Sequence, residues 1–147
     1  PMKRAFFILF LIGSMALPAL SQTGLHIAQL FDGPFKRRTG ATEVYMKGRS
    51  VKNYGLSIFR SLSVSYSPDD LRRMETLVRL DARQAVSKEE SYKGTSLYYG
   101  FYQLPQYKGL NRYIFYKHTR TKQQPATLIY MEGKASIKEI KRRFMKQ

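Results

Sequence analysis

The sequence predicts an α+β fold: an antiparallel sheet of about four to five strands with two main helices packed on it, after a cleaved signal segment. Three observations carry this. Residues 56–66 alternate apolar and polar side chains with a period of two. Two stretches open with strong helix caps, at Ser67 and at Ser136. Three aromatic-rich runs toward the C-terminus are separated by connections short enough for a meander.

The chain opens with the pattern of an export signal. Lys3 and Arg4 precede an apolar run from Ala5 to Ile12, Gly13 and Pro18 interrupt it, and Ala19 and Ser21 set small residues before an expected cut between Ser21 and Gln22. The run is too short for a retained anchor, the competing reading, because a bilayer span needs about 20 apolar residues. Pro1 precedes Met2 and is set aside as a scar ahead of a natural start. The expected division is a signal peptide over 1–21 and a single domain over 22–147, which places the protein in the periplasm or outside the cell.

Lys and Arg number 26 against 10 Asp and Glu, a formal net charge of +16. Such a chain is drawn to polyanions. For an exported protein these are lipid headgroups, lipopolysaccharide phosphates, acidic glycans or an acidic partner protein rather than nucleic acid. The bland reading is a solvated basic surface. Cysteine is absent, which excludes disulfides, a lipid-modified cysteine, thiol catalysis, iron–sulfur clusters and cysteine zinc sites. No cofactor is expected.

Leu25 to Phe31 reads as a short helix stopped by Asp32-Gly33-Pro34, and Lys36-Arg37-Arg38 as a basic loop. A strand follows at Thr42 to Lys47, with Val44 and Met46 on one side. In the next strand Leu56, Ile58, Leu62, Val64 and Tyr66 share one parity and Ser57, Ser61, Ser63 and Ser65 the other, but Phe59-Arg60 swaps them. Either a bulge or turn divides the segment there, with Arg60 reaching water, or Arg60 points inward.

Ser67-Pro68-Asp69-Asp70 starts a helix running to about Val86, with Leu71, Met74, Val78, Ala82 and Ala85 on one face and Arg72, Arg79 and Arg83 beside it. Glu75 sits four residues before Arg79, at pairing distance. Ser87 to Gly94 reads as a charged turn. Strands are expected over Ser96 to Leu104, Arg112 to His118 and Ala126 to Glu132. In the first of these, Leu97, Tyr99 and Phe101 face one way and Tyr98, Tyr102 and Leu104 the other. Apolar character on both sides means a strand covered twice or an exposed tyrosine patch. The last helix starts with the reciprocal cap Ser136/Glu139, buries Ile137, Ile140 and Phe144, and ends in Lys141, Arg142 and Arg143.

No nucleophile, phosphate-loop or zinc-helix motif is visible, so no catalytic residue is assigned. The two histidines, His26 and His118, lie far apart, and no metal site is expected. Arg60, if inward, needs a carboxylate partner or a bound anion. Tyr98, Tyr102 and Tyr116, with Arg112, offer either a stacking surface for sugars or nucleotides or simply rings that cover the core. Arg142 and Arg143 complete the candidate ligand-binding set, with Arg37, Arg38, Arg72, Arg79 and Arg83 as further candidate anion contacts.

The favoured function is a non-enzymatic binding module for an anionic partner. The alternatives are a hydrolase of envelope polymers or glycans using Glu132 or Asp81, and a structural subunit that presents a tyrosine-rich sheet face to another protein.

The Arg112-Tyr113-Ile114-Phe115-Tyr116 strand, the Leu128-Ile129-Tyr130-Met131-Glu132-Gly133 strand and the helix from Ser136 to Phe144, together with the export signal, resemble small exported proteins of uncharacterised Bacteroidetes families with domains of unknown function. The resemblance implies a Gram-negative cell-envelope setting and carries over no site residue and no activity.

Overall fold

The computed structural model of the chain describes residues 24–65, 67–118 and 126–144. The expected signal segment, Tyr66 and most of the connection before Ala126 lie outside them. Eleven elements follow one another: α1 (Ala28–Phe31), α2 (Gly33–Thr39), β1 (Thr42–Lys47), α3 (Arg49–Lys52), β2 (Leu56–Val64), α4 (Pro68–Ala82), β3 (Ser87–Lys93), β4 (Ser96–Tyr107), β5 (Leu110–Lys117), β6 (Ala126–Gly133) and α5 (Ile137–Phe144). The strands form one antiparallel sheet in the order β1-β2-β6-β5-β4-β3. The class is α+β, as expected.

The expectation of four to five strands and two main helices is corrected to six strands and five short helices among the described residues. The extra strand is β3, in the stretch read as a charged turn. Its sequence, SKEESYK, is almost wholly exposed, because an edge strand is held by backbone bonds to β4 and needs no apolar alternation. α2 replaces the basic loop. α1 does stop at Asp32, whose backbone is extended, but Pro34 then opens α2 in its first turn, since a proline there has no hydrogen bond to lose, and Gly40 closes it in the left-handed conformation. α4 ends at Ala82, four residues short of the expected end, and Val86 already donates its backbone N–H to Gln103.

The sheet buries apolar side chains on both faces. On one, Leu62, Val64, Tyr102, Ile114, Tyr116, Leu128 and Tyr130 pack against Leu30, Phe31 and Phe35 of the N-terminal helices and Leu71, Met74 and Val78 of α4. On the other, Phe101, Tyr113 and Met131 meet Val51, Ala135 and Ile140, with Phe59 and Phe144 stacked 5.8 Å apart. The tyrosine-rich β4 is therefore covered on both sides. Leu97 sits in the same cluster as Tyr102 and Leu104, against its sequence parity. The register shift that leaves Tyr98 without a partner on β3 makes this possible: it is a bulge that turns Leu97 over.

A second shift, at Ser57, puts Leu56 on the α5 face while Ile58, Leu62 and Val64 keep the α4 face. The irregularity expected at Phe59-Arg60 thus lies two residues earlier. Arg60 accordingly points inward.

Candidate anion-binding site

Arg79, in the last turn of α4, and Arg83, its C-cap, stand one turn apart on the flank that faces edge strand β3. Across from them β3 sends Lys88, Glu90 and Tyr92 to the same side of the sheet, and these five residues with Ala82 line a pocket of ≈ 320 Å³. The site exists because β3 is a strand: period-two geometry aims Lys88 and Glu90 one way and Glu89 the other, where it pairs with Lys141 of α5.

Glu90 is already engaged. The buried Tyr102 hydroxyl donates to its Oε2 at 2.7 Å and the Tyr92 hydroxyl to the same oxygen at 3.2 Å. Burial, reinforced by the Glu90 charge, raises the Tyr102 pKa well above the ordinary phenol value, so this hydroxyl remains a donor. Tyr102 reaches Glu90 by lying over Gly100, where an added Cβ would come within 2.5 Å of the phenol oxygen. Arg79 donates to Glu75 at 3.3 Å, and its guanidinium lies 5.1 Å from the centre of the Tyr92 ring. Glu75 also accepts the Leu97 backbone N–H at the bulge, at 2.9 Å. Arg83 and Lys88 form no ion pair among the described residues. The pocket therefore gathers three cations, of which only Arg79 is ion-paired among the described residues, against one lining carboxylate, Glu90, and its balance is positive.

The remaining candidates are scattered. Arg60 is 8% exposed and binds Glu43, with Nε at 2.8 Å and Nη2 at 2.5 Å from Oε2. Its guanidinium lies between the Phe31 and Tyr45 rings, 4.7 and 4.5 Å from their centres. Burial alone would raise the Glu43 carboxyl, but hydrogen bonds and charge from Lys36 and Arg60 outweigh it and hold its pKa below the usual 4.5. Arg112 is 6% exposed, with Nε and Nη1 buried and unpartnered. It lies over Tyr107 and forms no ion pair with Glu132, its register neighbour on β6. Glu132 instead accepts the Tyr130 hydroxyl at 2.7 Å.

Tyr102 and Tyr116 are fully buried, which withdraws their rings from any stacking surface, and Tyr98 sits half-buried at the bulge under Lys93. Arg142 and Arg143 are exposed on α5, across the sheet from the pocket, and Arg72 pairs with Asp69. Arg37 is exposed in α2. Asp81 accepts the backbone N–H groups of His26 and Ile27, both at 2.8 Å, and contacts the His26 ring, so it clamps the incoming chain to α4. Glu132, the other carboxylate offered for the hydrolase reading, lies on β6, where its side chain accepts the Tyr130 hydroxyl at 2.7 Å and its backbone carbonyl the Ser57 hydroxyl at 3.2 Å.

Sequence reasoning found Arg79 and Arg83 and missed Lys88, Glu90 and Tyr92. The signal was their spacing of two, hidden because no apolar residue marks it. Among the described residues no group of three or more His, Asp or Glu is arranged to hold a metal, and no helix is long and apolar enough to cross a membrane. No curated protein and no solved structure matches the chain. A family profile does match, over residues 14–144, and the chain therefore belongs to that family, described as a family of unknown function (DUF6108).

Proposed function

We propose that this protein is an exported, non-enzymatic binding module whose α4–β3 pocket captures an anionic group, a phosphate or carboxylate, on an envelope partner. The pocket's charge carries the reading: Arg79, Arg83 and Lys88 converge on ≈ 320 Å³ whose carboxylate, Glu90, is already bonded by two tyrosines. Long-range attraction to this strongly basic chain brings the anion in, and short arginine and lysine hydrogen bonds hold it. The export pattern of residues 2–21 and the resemblance to exported Bacteroidetes proteins support the envelope setting. N-terminal mass spectrometry of the native product should find Gln22 first. A cytoplasmic pool that keeps Met2 would overturn that part.

Calorimetric titration with inorganic polyphosphate tests the pocket. The double variant Arg83→Gln/Lys88→Gln should bind about tenfold more weakly, the loss expected for charge-assisted hydrogen bonds. Arg142→Gln/Arg143→Gln, with the same loss of charge on the opposite face, should bind as the parent does. Added salt should weaken parent binding steeply. Equal binding by both doubles, or affinity indifferent to salt, would defeat the proposal.

A further inference from the structure

The two edges of the sheet are built differently. β3 carries Lys88, Glu89, Glu90 and Lys93 and faces a bulge in β4, features that discourage pairing with a further strand. β1 runs in unbroken register with β2 from Thr42 to Lys47 and holds no proline. Among the described residues nothing pairs with its outer edge. Val44 and Tyr45, adjacent at its centre, are 46% and 47% exposed.

We infer that β1 is a self-association edge, through which two copies of this chain join their sheets antiparallel about a two-fold axis at Tyr45. The sequence of the edge, TEVYMK, identifies the occupant. Pairing centred on Tyr45 sets Glu43 opposite Lys47 of the other copy and Val44 opposite Met46, on both sides of the axis. Directly opposed charges and apolar pairs of this kind stabilise antiparallel strands. A slip of one residue sets Glu43 against Met46 or Gly48 and loses both charge pairs, so the charges also choose the register. The edge is pre-formed, because Arg60 grips Glu43 and stacks on Tyr45. Glu43 keeps room for a third cation beside Lys36 and Arg60, since an ionised carboxylate accepts about four hydrogen bonds.

This association rests on different residues from the anion pocket and responds oppositely to salt. Two copies of a +16 chain repel each other, so screening strengthens the dimer while it weakens polyanion binding.

Cross-linking and sedimentation of the full chain test the inference. The chain has no cysteine, so one introduced thiol gives a clean readout. Residues opposed across an antiparallel pair have Cα atoms about 4.5–5.5 Å apart, within the range a disulfide spans. Tyr45→Cys should therefore form a disulfide-linked dimer readily on mild oxidation, and Tyr92→Cys, on the guarded edge, should not. In sedimentation, Lys47→Glu should weaken the dimer about tenfold by opposing two glutamates, whereas Lys138→Glu, the same charge change on exposed α5, should not weaken it. Equal effects of the two glutamate variants, equal cross-linking at positions 45 and 92, or a parent chain that stays monomeric up to about 1 mM in 0.5 M salt, where screening has cut the Debye length to about 4–5 Å, would each overturn it.

Discussion

Arg60 and Arg112 occupy neighbouring cross-strand rows on the same face of the sheet, and both are nearly buried, at 8% and 6% exposure. Arg60 is fully provided for: a carboxylate on the edge strand takes two of its N–H groups, and two aromatic rings sandwich its plane. Arg112 has one ring, Tyr107, a side-chain contact with the Tyr130 hydroxyl, and two buried nitrogens, Nε and Nη1, without hydrogen-bond partners, while the glutamate beside it accepts that same hydroxyl. Equal burial thus hides unequal compensation: Arg60 has a carboxylate of its own, and Arg112 shares a neutral hydroxyl with Glu132. A buried charge stabilises only when its partner is placed within reach, and an unmatched one is a standing desolvation cost.

The largest test of this contrast is Arg60→Met. It leaves Glu43 with Lys36 alone and removes the stacking that holds β1, and it should cost about 3 kcal/mol in denaturant unfolding. A loss below about 1 kcal/mol would show that the pair contributes little beyond its apolar surroundings.

A smaller effect appears in acid. The Glu43 pKa is lower in the folded chain than in the unfolded one, so its contribution to stability is present above about pH 4.5 and is lost as pH falls through the folded value. Glu43→Gln should therefore flatten the fall in stability below pH 4.5 relative to the parent, measured by thermal unfolding across pH 2 to 7. Parallel curves would remove Glu43 from the account.

The smallest change belongs to Arg112→Met. Having no hydrogen bond at Nε or Nη1 to lose, the variant should unfold within about 1 kcal/mol of the parent or above it. A loss as large as that of Arg60→Met would break the comparison and mean that Arg112 and Glu132 act as a true pair.

Much of the scaffold was legible locally. The α5 cap reads directly from Ser136 and Glu139: each donates a backbone N–H to the other's side chain, both at 3.2 Å. Pro68, Asp69 and Asp70 mark the start of α4 although the Ser67 side chain makes no cap bond. Strands β2, β4, β5 and β6 announce themselves because at least one of their faces is apolar. β3 does not, since its partner is a backbone edge and its side chains stay wet. The anion pocket was half legible for the same reason, through Arg79 and Arg83 alone.

The sequence by itself determined the α+β class, the helix starts, the antiparallel strand runs and the basic balance of the chain, because capping chemistry, apolar period and charge are written within a few neighbouring residues. Only the tertiary structure decided which strands are edges, where the bulges at Ser57 and Tyr98 turn side chains over, and which arginine meets a carboxylate. Those outcomes depend on groups that lie apart along the chain, Glu43 with Arg60 or Arg79 with Tyr92, and the packing of strands and helices brings them together or keeps them apart.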